Sequence, residues 1–261
     1  MRKQVALAMG ALLALTSTTL HAQALEEITV TAQKREQSAN DIPIAITAFT
    51  GEHLKESGFK TAEDMALLTP GLTVNETAAT GVPIYTIRGV GFQDPYASSS
   101  STVGLYFDQV ALPFTVMTRG LMFDVNRVEV LKGPQGDLYG RNTTAGQINF
   151  ISNTPSDEFE GGVTVGYGSY NTIDLEGFVS GPIGERVRGR VAARTTQRGD
   201  GWQKSLTRDD ELGEIDTMAI RAMLDIDLSD SANILLKVHH VDDQSDNRAN
   251  TAYNGTLAGQ G

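Results

Sequence analysis

The chain has 261 residues, a formal net charge of −11 and no cysteine. The acidic balance argues against nucleic acid as a partner, because binding to phosphates needs a basic face. The absence of cysteine excludes disulfides, thiolate metal sites and cysteine nucleophiles.

The first residues have the pattern of an export signal. Arg2 and Lys3 precede an apolar run from Val5 to Leu15, and Ala22-Gln23-Ala24 supplies small residues for cleavage. The apolar run is shorter than the about 20 residues that a membrane-spanning helix needs. We therefore predict a cleaved signal peptide over residues 1–24 rather than an anchor helix. No later segment is apolar enough for such a helix, so a membrane-spanning form would have to use strands.

Residues 25–41 combine a short extended pattern with a polar stretch. Apolar and polar side chains alternate over residues 28–31, which predicts a strand. Gln33 to Asn40 has no apolar anchor and is expected to be a flexible leash. A short strand on a leash suits recognition by strand addition to a partner. The alternation alone favours the simpler alternative, in which this strand is the first one of the next domain.

Residues 42–155 mix predicted strands with short helices, which indicates a small α+β domain. Helices are predicted over Gly51–Gly58 and from the N-cap Thr61 to Leu68, with Asp64 in the capping-box position. A further helical turn is predicted over Leu121–Val125. Strands are predicted over Ile42–Phe49, Leu72–Val74, Tyr85–Arg88, Gly104–Phe107, Val128–Leu131 and Ile148–Ile151.

The stretch from Arg127 to Ser152 reads as strand, turn and strand. Its turn contains Gly133, Gly136 and Gly140 but lacks the Gly-Lys-Ser/Thr pattern of a phosphate cradle. These glycines are therefore expected to permit backbone turns.

From Gly161 the sequence changes to segments that alternate apolar and polar residues. The segments are Val163–Tyr167, Thr172–Val179, Arg186–Thr196, Met218–Leu228 and Ala232–Val241. A soluble sandwich would bury the apolar faces against each other, whereas a transmembrane barrel turns them to lipid and keeps charges in a wet lumen. The export signal, the segment length of about ten residues and the fully charged polar faces favour the barrel.

Taken in order, these motifs resemble the TonB-dependent outer-membrane receptors of Gram-negative bacteria. Val128–Ser152 is similar to the plug-domain signature of that family, and Ile87-Arg88-Gly89 is similar to its IRG motif. Leu68–Leu72 resembles an early plug segment. Glu27–Ala32 resembles the TonB box, and this resemblance outweighs the simpler reading of that strand.

The resemblance implies an α+β plug folded inside an antiparallel barrel of about 22 strands. Only about five barrel strands are predicted here, so we expect the chain to be part of a longer protein. The implied domains are the signal peptide 1–24, the TonB box and leash 25–41, the plug 42–155 and a partial barrel 156–261. The expected location is the outer membrane.

The resemblance also implies partners and roles. TonB, with its inner-membrane energising complex, would grasp the box from the periplasm and rearrange the plug. The ligand, expected to be a ferric siderophore, would bind from outside; cobalamin, an oligosaccharide or an aromatic compound remain alternatives. Outer-membrane lipid is the third expected partner, and nucleic acid is not expected.

The site residues follow from the same resemblance. The TonB-binding residues are Ile28, Thr29, Val30, Thr31 and Ala32. The plug-motif and lock residues are Arg88, Gly89, Glu129, Lys132, Gly133, Gly136, Tyr139, Gly140 and Arg141. The ligand-binding residues are Tyr85, Phe92, Gln93, Tyr96 and Phe114, because aromatic rings and their neighbours at a plug apex can stack on a ligand.

The charged lock residues suggest a hypothesis about the plug. They would form ion pairs with each other or with luminal charges such as Arg190 and Arg221; the alternative is that each is separately solvated.

The sequence contains no catalytic constellation. His239 and His240 point to opposite faces of a strand and cannot chelate a metal together. No metal, cofactor or enzymatic activity is therefore expected. Two other classes stay open: a secreted all-β binding module, and a hydrolase using Asp174 and Glu176, which share one strand face.

Overall fold

The computed structural model describes residues 28–32, 34–35, 37–77, 81–91, 100–205 and 209–246. The predicted signal peptide lies outside the described residues. None of the helices in the described ranges is long and apolar enough to cross a membrane.

A five-stranded mixed sheet forms the centre of the plug. Its strand order is β3 (Ala45–Thr50), β9 (Val125–Lys132), β10 (Gly146–Ser152), β7 (Val103–Phe107) and β8 (Val110–Ala111). β10 runs parallel to β7, and the other neighbours are antiparallel.

The strand β9, which lies between β3 and β10, is buried on both faces. Val128 and Val130 point into the main core, where they meet Phe49, Ile148 and Phe150. Because side chains alternate along a strand, Glu129 and Leu131 point to the opposite face, where Leu131 packs in a second cluster with Val30, Ala32 and Ile42. β9 therefore joins two separate packing layers.

The remaining elements of the plug surround this sheet. Its helices are α1 (Gly51–Glu56), α2 (Ala62–Leu68) and α3 (Gly136–Tyr139), and 3-10 turns span Ala39–Asp41 and Thr115–Thr118. The shorter strands are β1 (Thr29–Val30), β2 (Gln37–Ser38), β4 (Leu72–Glu76), β5 (Pro83–Ile87) and β6 (Val90–Gly91). The predicted cap of α2 is present, since the Asp64 carboxylate accepts the backbone N–H of Thr61 at 2.9 Å.

One predicted helix is wrong. The segment before β9, predicted as a helical turn over Leu121–Val125, is irregular, with bends at Phe123 and Asp124, and β9 begins at Val125. The reason is tertiary and lies in the contacts that this segment makes with the barrel sheet.

The second half of the chain is an antiparallel sheet in sequence order. Its strands are β11 (Glu160–Gly168), β12 (Thr172–Gly184), β13 (Val187–Arg198), β16 (Ile215–Ser229) and β17 (Ala232–Asp243). Residues 169–171, 185–186 and 230–231 form tight turns, whereas β13 and β16 are joined by a long connection that contains β14 (Gln203–Lys204) and β15 (Glu211–Leu212). In the described residues the five strands form an open sheet rather than a closed barrel.

The faces of this sheet are inverted relative to those of a soluble protein. Val163, Val165 and Val238 on the outer face are 75%, 71% and 70% exposed. Arg190 and Arg221 on the inner face are 4% and 0% exposed because they lie against the plug. Apolar side chains outside and charges inside are the pattern of a transmembrane barrel wall. The predicted fold class, a plug followed by the first barrel strands, is confirmed.

Candidate functional site

The segment predicted to bind TonB lies folded against the plug. Thr29 and Val30 pair with Ser38 and Gln37, so the expected leash doubles back as a short hairpin. Val30 and Ala32 are fully buried. In this structure the segment is therefore docked rather than free.

Polar contacts from β9 hold the same segment. The backbone N–H of Thr31 donates to Glu129 Oε1 at 2.7 Å, and the Tyr139 hydroxyl donates to the carbonyl of Ala32 at 3.1 Å. Arg127 donates to Glu129 Oε1 at 2.8 Å and to the Thr31 hydroxyl at 3.1 Å. Asn149 donates to the second carboxylate oxygen at 3.1 Å. Glu129, which is 0% exposed, is the shared acceptor of this network.

This network corrects the hypothesis about Glu129. Its ion-pair partner is Arg127, on the same strand, and not a luminal arginine. Glu129 faces the docked segment, whereas Arg190 and Arg221 contact Asp124 and its neighbours.

The other charged motif residues do not pair with each other either. Lys132 has a pKa below its usual value because of partial burial and the nearby positive charge of Arg88. Arg88 is exposed, has a left-handed φ of 52° and donates its backbone N–H to Gly71 at 2.7 Å. Gly89 completes this turn with a φ of 78°, and Arg141 is exposed.

The glycines of the motif turn act as predicted on the backbone. Gly133 and Gly140 have positive φ values of 115° and 75°, where a side chain would be strained. Gly136 begins α3. α3 places Tyr139 edge-on to Tyr106 at 5.0 Å, and burial raises the pKa of Tyr139.

The residues predicted to bind ligand are dispersed. Tyr85 is 1% exposed, and its hydroxyl lies 2.6 Å from the Thr118 hydroxyl, so it is a core residue rather than an apex residue. Burial raises its pKa. Phe114 is 44% exposed beside the turn Thr115–Thr118. Phe92, Gln93 and Tyr96 lie outside the described residues.

A segment that overlaps the predicted helical turn makes several polar contacts between plug and barrel. We call Gly120–Asp124 the strap. Arg194 donates to the carbonyl of Met122 at 2.8 Å. Arg221 donates to the carbonyls of Phe123 and Asp124, both at 3.2 Å, and reaches that of Leu121 at 3.5 Å. A helix would direct these carbonyls to its own N–H groups, so the barrel arginines explain why the predicted helical turn does not form.

Asp124 is the most heavily bonded residue of the strap. Its carboxylate accepts from Arg190 at 2.8 and 2.5 Å, and its backbone N–H donates to Glu176 of the barrel at 3.0 Å. Asp124 and Arg190 are 1% and 4% exposed, so this ion pair is buried. Arg190 also contacts Glu160 at 2.7 Å.

Other plug–barrel ion pairs surround the strap. Lys60 lies 2.6 Å from Asp174, and Lys237 contacts Asp108. The Arg221 guanidinium lies between the rings of Phe107 and Phe123, at 4.8 and 4.5 Å from their centroids. Luminal ion pairs with the plug therefore exist, but their plug partners, Asp124, Asp108 and Lys60, lie outside the recognised motifs.

A cavity of about 380 Å³ lies between the plug and the ends of the barrel strands. Gly120, Met122 and Phe123 of the strap line it from below. The remaining lining includes Lys60, Glu63, Arg119, Arg194, Arg198, Trp202 and Asp243. The cavity opens at the strand ends that carry the long connection between β13 and β16. Its lining combines charges of both signs with one indole ring, which suits a polar ligand with a flat group.

Comparison with known proteins agrees with this architecture. Residues 38–147 match the TonB-dependent receptor plug domain. The chain therefore contains the plug domain of the TonB-dependent receptors. It is 30% identical over 172 residues to the ferripyoverdine receptor of Pseudomonas aeruginosa, a match over 62% of this chain and 20% of that protein. It is 31% identical over 177 residues to a vitamin B12 transporter of Vibrio vulnificus, a match over 63% of this chain and 27% of that protein.

A solved structure extends the match to the fold. The pyoverdine outer-membrane receptor of Pseudomonas aeruginosa bound to pyoverdine superposes with a TM-score of 0.68 and 25% identity, over 82% of this chain and 30% of that chain. The receptor described here thus spans less than one third of the relatives it matches. The comparisons place it in the outer membrane.

The strap shows what motif recognition missed in this receptor. The alternating arginines of β13 revealed the luminal face, but no local pattern marks Asp124 as their partner. Asp124 follows Phe123 and precedes a strand, and its φ of 47° reflects contacts with residues far away in sequence. A search for buried carboxylates opposite a charged barrel face would have found it.

Proposed function

We propose that this receptor imports a ferric siderophore across the outer membrane, driven by TonB acting on residues 28–32. The docking of this segment on the buried Glu129 carries the proposal. A peptide that TonB binds must be held in the resting receptor by contacts that can be broken.

The docked segment has the properties of a releasable strand. β1 and β2 form a two-residue pairing at the edge of the fold, and such short pairings are weak. Release would free the backbone groups of Thr29 and Val30 for strand addition to TonB, in which main-chain hydrogen bonds provide affinity. A force on these residues would act on Glu129 and therefore on β9, an inner strand of the plug sheet.

The cargo assignment rests on the relatives and on the cavity. The ferripyoverdine receptor and the pyoverdine-bound structure are named for a siderophore. The cavity offers Trp202 and charged side chains of both signs to a polar ligand that carries a flat ring. Phe114, which is exposed beside the turn that leads to Arg119, is a further candidate contact.

Iron uptake tests this function directly. A strain lacking the intact gene is compared with one carrying it, using a panel of ferric siderophores labelled with radioactive iron. We expect uptake of at least one siderophore to need the gene. Unchanged uptake of every siderophore would refute the iron assignment.

A proline in the docked segment tests the role of TonB. Val30→Pro removes an N–H group and resists strand addition, so it should abolish uptake while siderophore binding to outer membranes persists. Val30→Thr, which has nearly the same shape and keeps the N–H group, is the control and should retain uptake. Normal uptake by Val30→Pro would refute the assignment of this segment.

Cobalamin is the second candidate cargo, because one relative is named as a vitamin B12 transporter. The same strains, supplied with labelled cobalamin, separate the two possibilities. If the cargo is instead an oligosaccharide or an aromatic compound, the gene should change the uptake of neither labelled siderophores nor labelled cobalamin. The exposed apolar faces of the barrel strands disfavour a secreted all-β module, which would bury such faces in a common core.

A further inference from the structure

We propose that the strap Gly120–Asp124 is the gate of this receptor: the barrel wall holds it closed, and it leaves the wall when cargo passes. The part of this statement that concerns cargo rests on the proposed function. The part that concerns how the strap is held rests on the contacts alone.

The strap depends on the barrel for most of its polar contacts. Within the plug it makes local backbone bonds from Phe123 to Leu121 at 2.9 Å and from Leu121 to Thr118 at 3.4 Å, and Asn153 bonds to Asp124 at 2.9 and 3.1 Å. The carbonyls of the strap from Leu121 to Asp124 all accept from barrel arginines. Without the wall, the carbonyls of Met122 and Phe123 would lack the partners that a buried carbonyl needs, because those of Leu121 and Asp124 also accept within the plug.

The wall depends on the strap in turn. Arg221 is 0% exposed, and among the described residues no carboxylate lies within 4.0 Å of it. A buried guanidinium needs partners for its N–H groups. Here strap carbonyls accept from the two terminal nitrogens and two aromatic rings lie against the group, whereas Nε has no hydrogen-bond partner among the described residues. Phe123 completes the contact by packing on Ala192 and Ala219 of the wall. Strap and wall therefore supply partners to each other, and these contacts would be lost together when the strap leaves the wall.

The position of the strap gives it a route to both functional ends. On one side its residues Gly120, Met122 and Phe123 line the cavity, so a ligand bound there would lie next to them. On the other side the strap continues directly into β9, where Arg127 and Glu129 hold Thr31 of the docked segment. A pull on that segment is thus applied to a strand whose beginning is anchored at Asp124.

The backbone of Asp124 fits a segment held in place from outside. Its φ of 47° lies in the left-handed region, which costs energy for residues other than glycine, although less for aspartate than for most. The bonds from Arg190, Arg221 and Glu176 keep it there. Loss of these bonds would let the strap relax away from the wall.

A disulfide between strap and wall tests whether the strap must move. Gly120→Cys with Val241→Cys introduces one pair into these 261 residues, which have no cysteine of their own. A Cβ atom at Gly120 would lie 3.4 Å from that of Val241, close to the about 3.5–4.5 Å found in disulfides. The left-handed backbone at Gly120 strains the cysteine equally in the oxidised and reduced protein, so their comparison removes that effect.

The assay uses the intact receptor in its own outer membrane. The oxidised double variant should bind ferric siderophore but not import it, and reduction should restore import. Each single variant, treated with the same oxidant, should import normally. Import by the oxidised double variant at the rate of the reduced form would overturn the gate.

A second measurement needs no cargo. Leu121, which is 2% exposed, is replaced by Leu121→Cys, and the rate of maleimide labelling in isolated outer membranes reports opening of the strap. Arg221→Met should accelerate labelling about tenfold or more, because it removes charge-assisted bonds to the strap. Arg221→Lys, which keeps the charge but has fewer donors, should give an intermediate rate. Arg186→Met removes an exposed arginine near the start of β13 and should have no effect.

The two measurements separate the two proposals. Equal labelling in the Arg221→Met and Arg186→Met backgrounds, with both proteins folded, would overturn the gate even if iron uptake is normal. If the native receptor imports none of the siderophores, the cargo assignment fails, and the labelling rates still decide whether the wall holds the strap.

Discussion

The substitution Asp124→Asn is expected to weaken the attachment of the plug to the barrel. Asparagine has nearly the same shape and also tolerates the left-handed backbone of this position. It removes the negative charge that lies 2.5 Å from Arg190, where both side chains are at most 4% exposed. Arg190 would keep only Glu160, which is 49% exposed, as a carboxylate partner.

The size of the effect follows from this geometry. Removing one partner of a buried ion pair costs about 3–5 kcal/mol, because it leaves the other charge uncompensated. Glu160 remains, and the asparagine oxygen still accepts one hydrogen bond, so we expect a value near the lower limit, about 3 kcal/mol. A urea dependence of about 1–3 kcal/mol/M converts this into a midpoint for strap release that is lower by about 1–3 M.

The assay measures labelling of Leu121→Cys in the intact receptor as a function of urea. Asp137→Asn is the matched control, since Asp137 is an exposed carboxylate in the motif turn. Its free energy of strap release should change by less than about 0.5 kcal/mol. The combination of Asp124→Asn with Arg190→Met should cost less than the sum of the single changes. Equal midpoints for Asp124→Asn and Asp137→Asn would refute the reasoning.

Further predictions concern the plug itself. Glu129→Gln should release the docked segment, raising protease cleavage within residues 28–32 about tenfold because a charge-assisted acceptor is lost; Glu158→Gln, at an exposed site, should not. Burial raises the pKa of Tyr85 and Tyr139, so above pH about 10 these tyrosines ionise in the unfolded state before they ionise in the folded state. The stability of the plug should therefore be constant below pH about 10 and fall above it. Tyr85→Phe should reduce that fall in an alkaline urea titration. Gly51→Ala should destabilise the plug by about 1–3 kcal/mol or more, because its Cβ would lie 1.9 Å from the Val125 carbonyl, whereas Gly136→Ala meets open space and should have little effect in thermal unfolding.

The local pattern of the sequence determined most elements and their faces. Alternation placed Val163, Val165 and Val238 on one face of the barrel strands and the arginines of β13 on the other, because side chains along a strand point to opposite faces. The cap at Thr61 and Asp64 and the glycines of the motif turn were likewise predictable, since each depends on neighbours within a few residues. With the motif resemblance, this was enough to recognise a plug followed by barrel strands.

Only the tertiary structure decided how plug and barrel meet. Leu121–Val125 has no local signal against a helix, and its irregular form depends on arginines 72 to 100 residues further along the chain. Tyr85 is an aromatic residue of the kind predicted at the plug apex, but the plug core buries it against Thr118. Glu129 could have faced the wall, and the register of β9 turns it to the docked segment instead. Contacts between distant segments depend on register and packing, which periodicity within one segment does not specify.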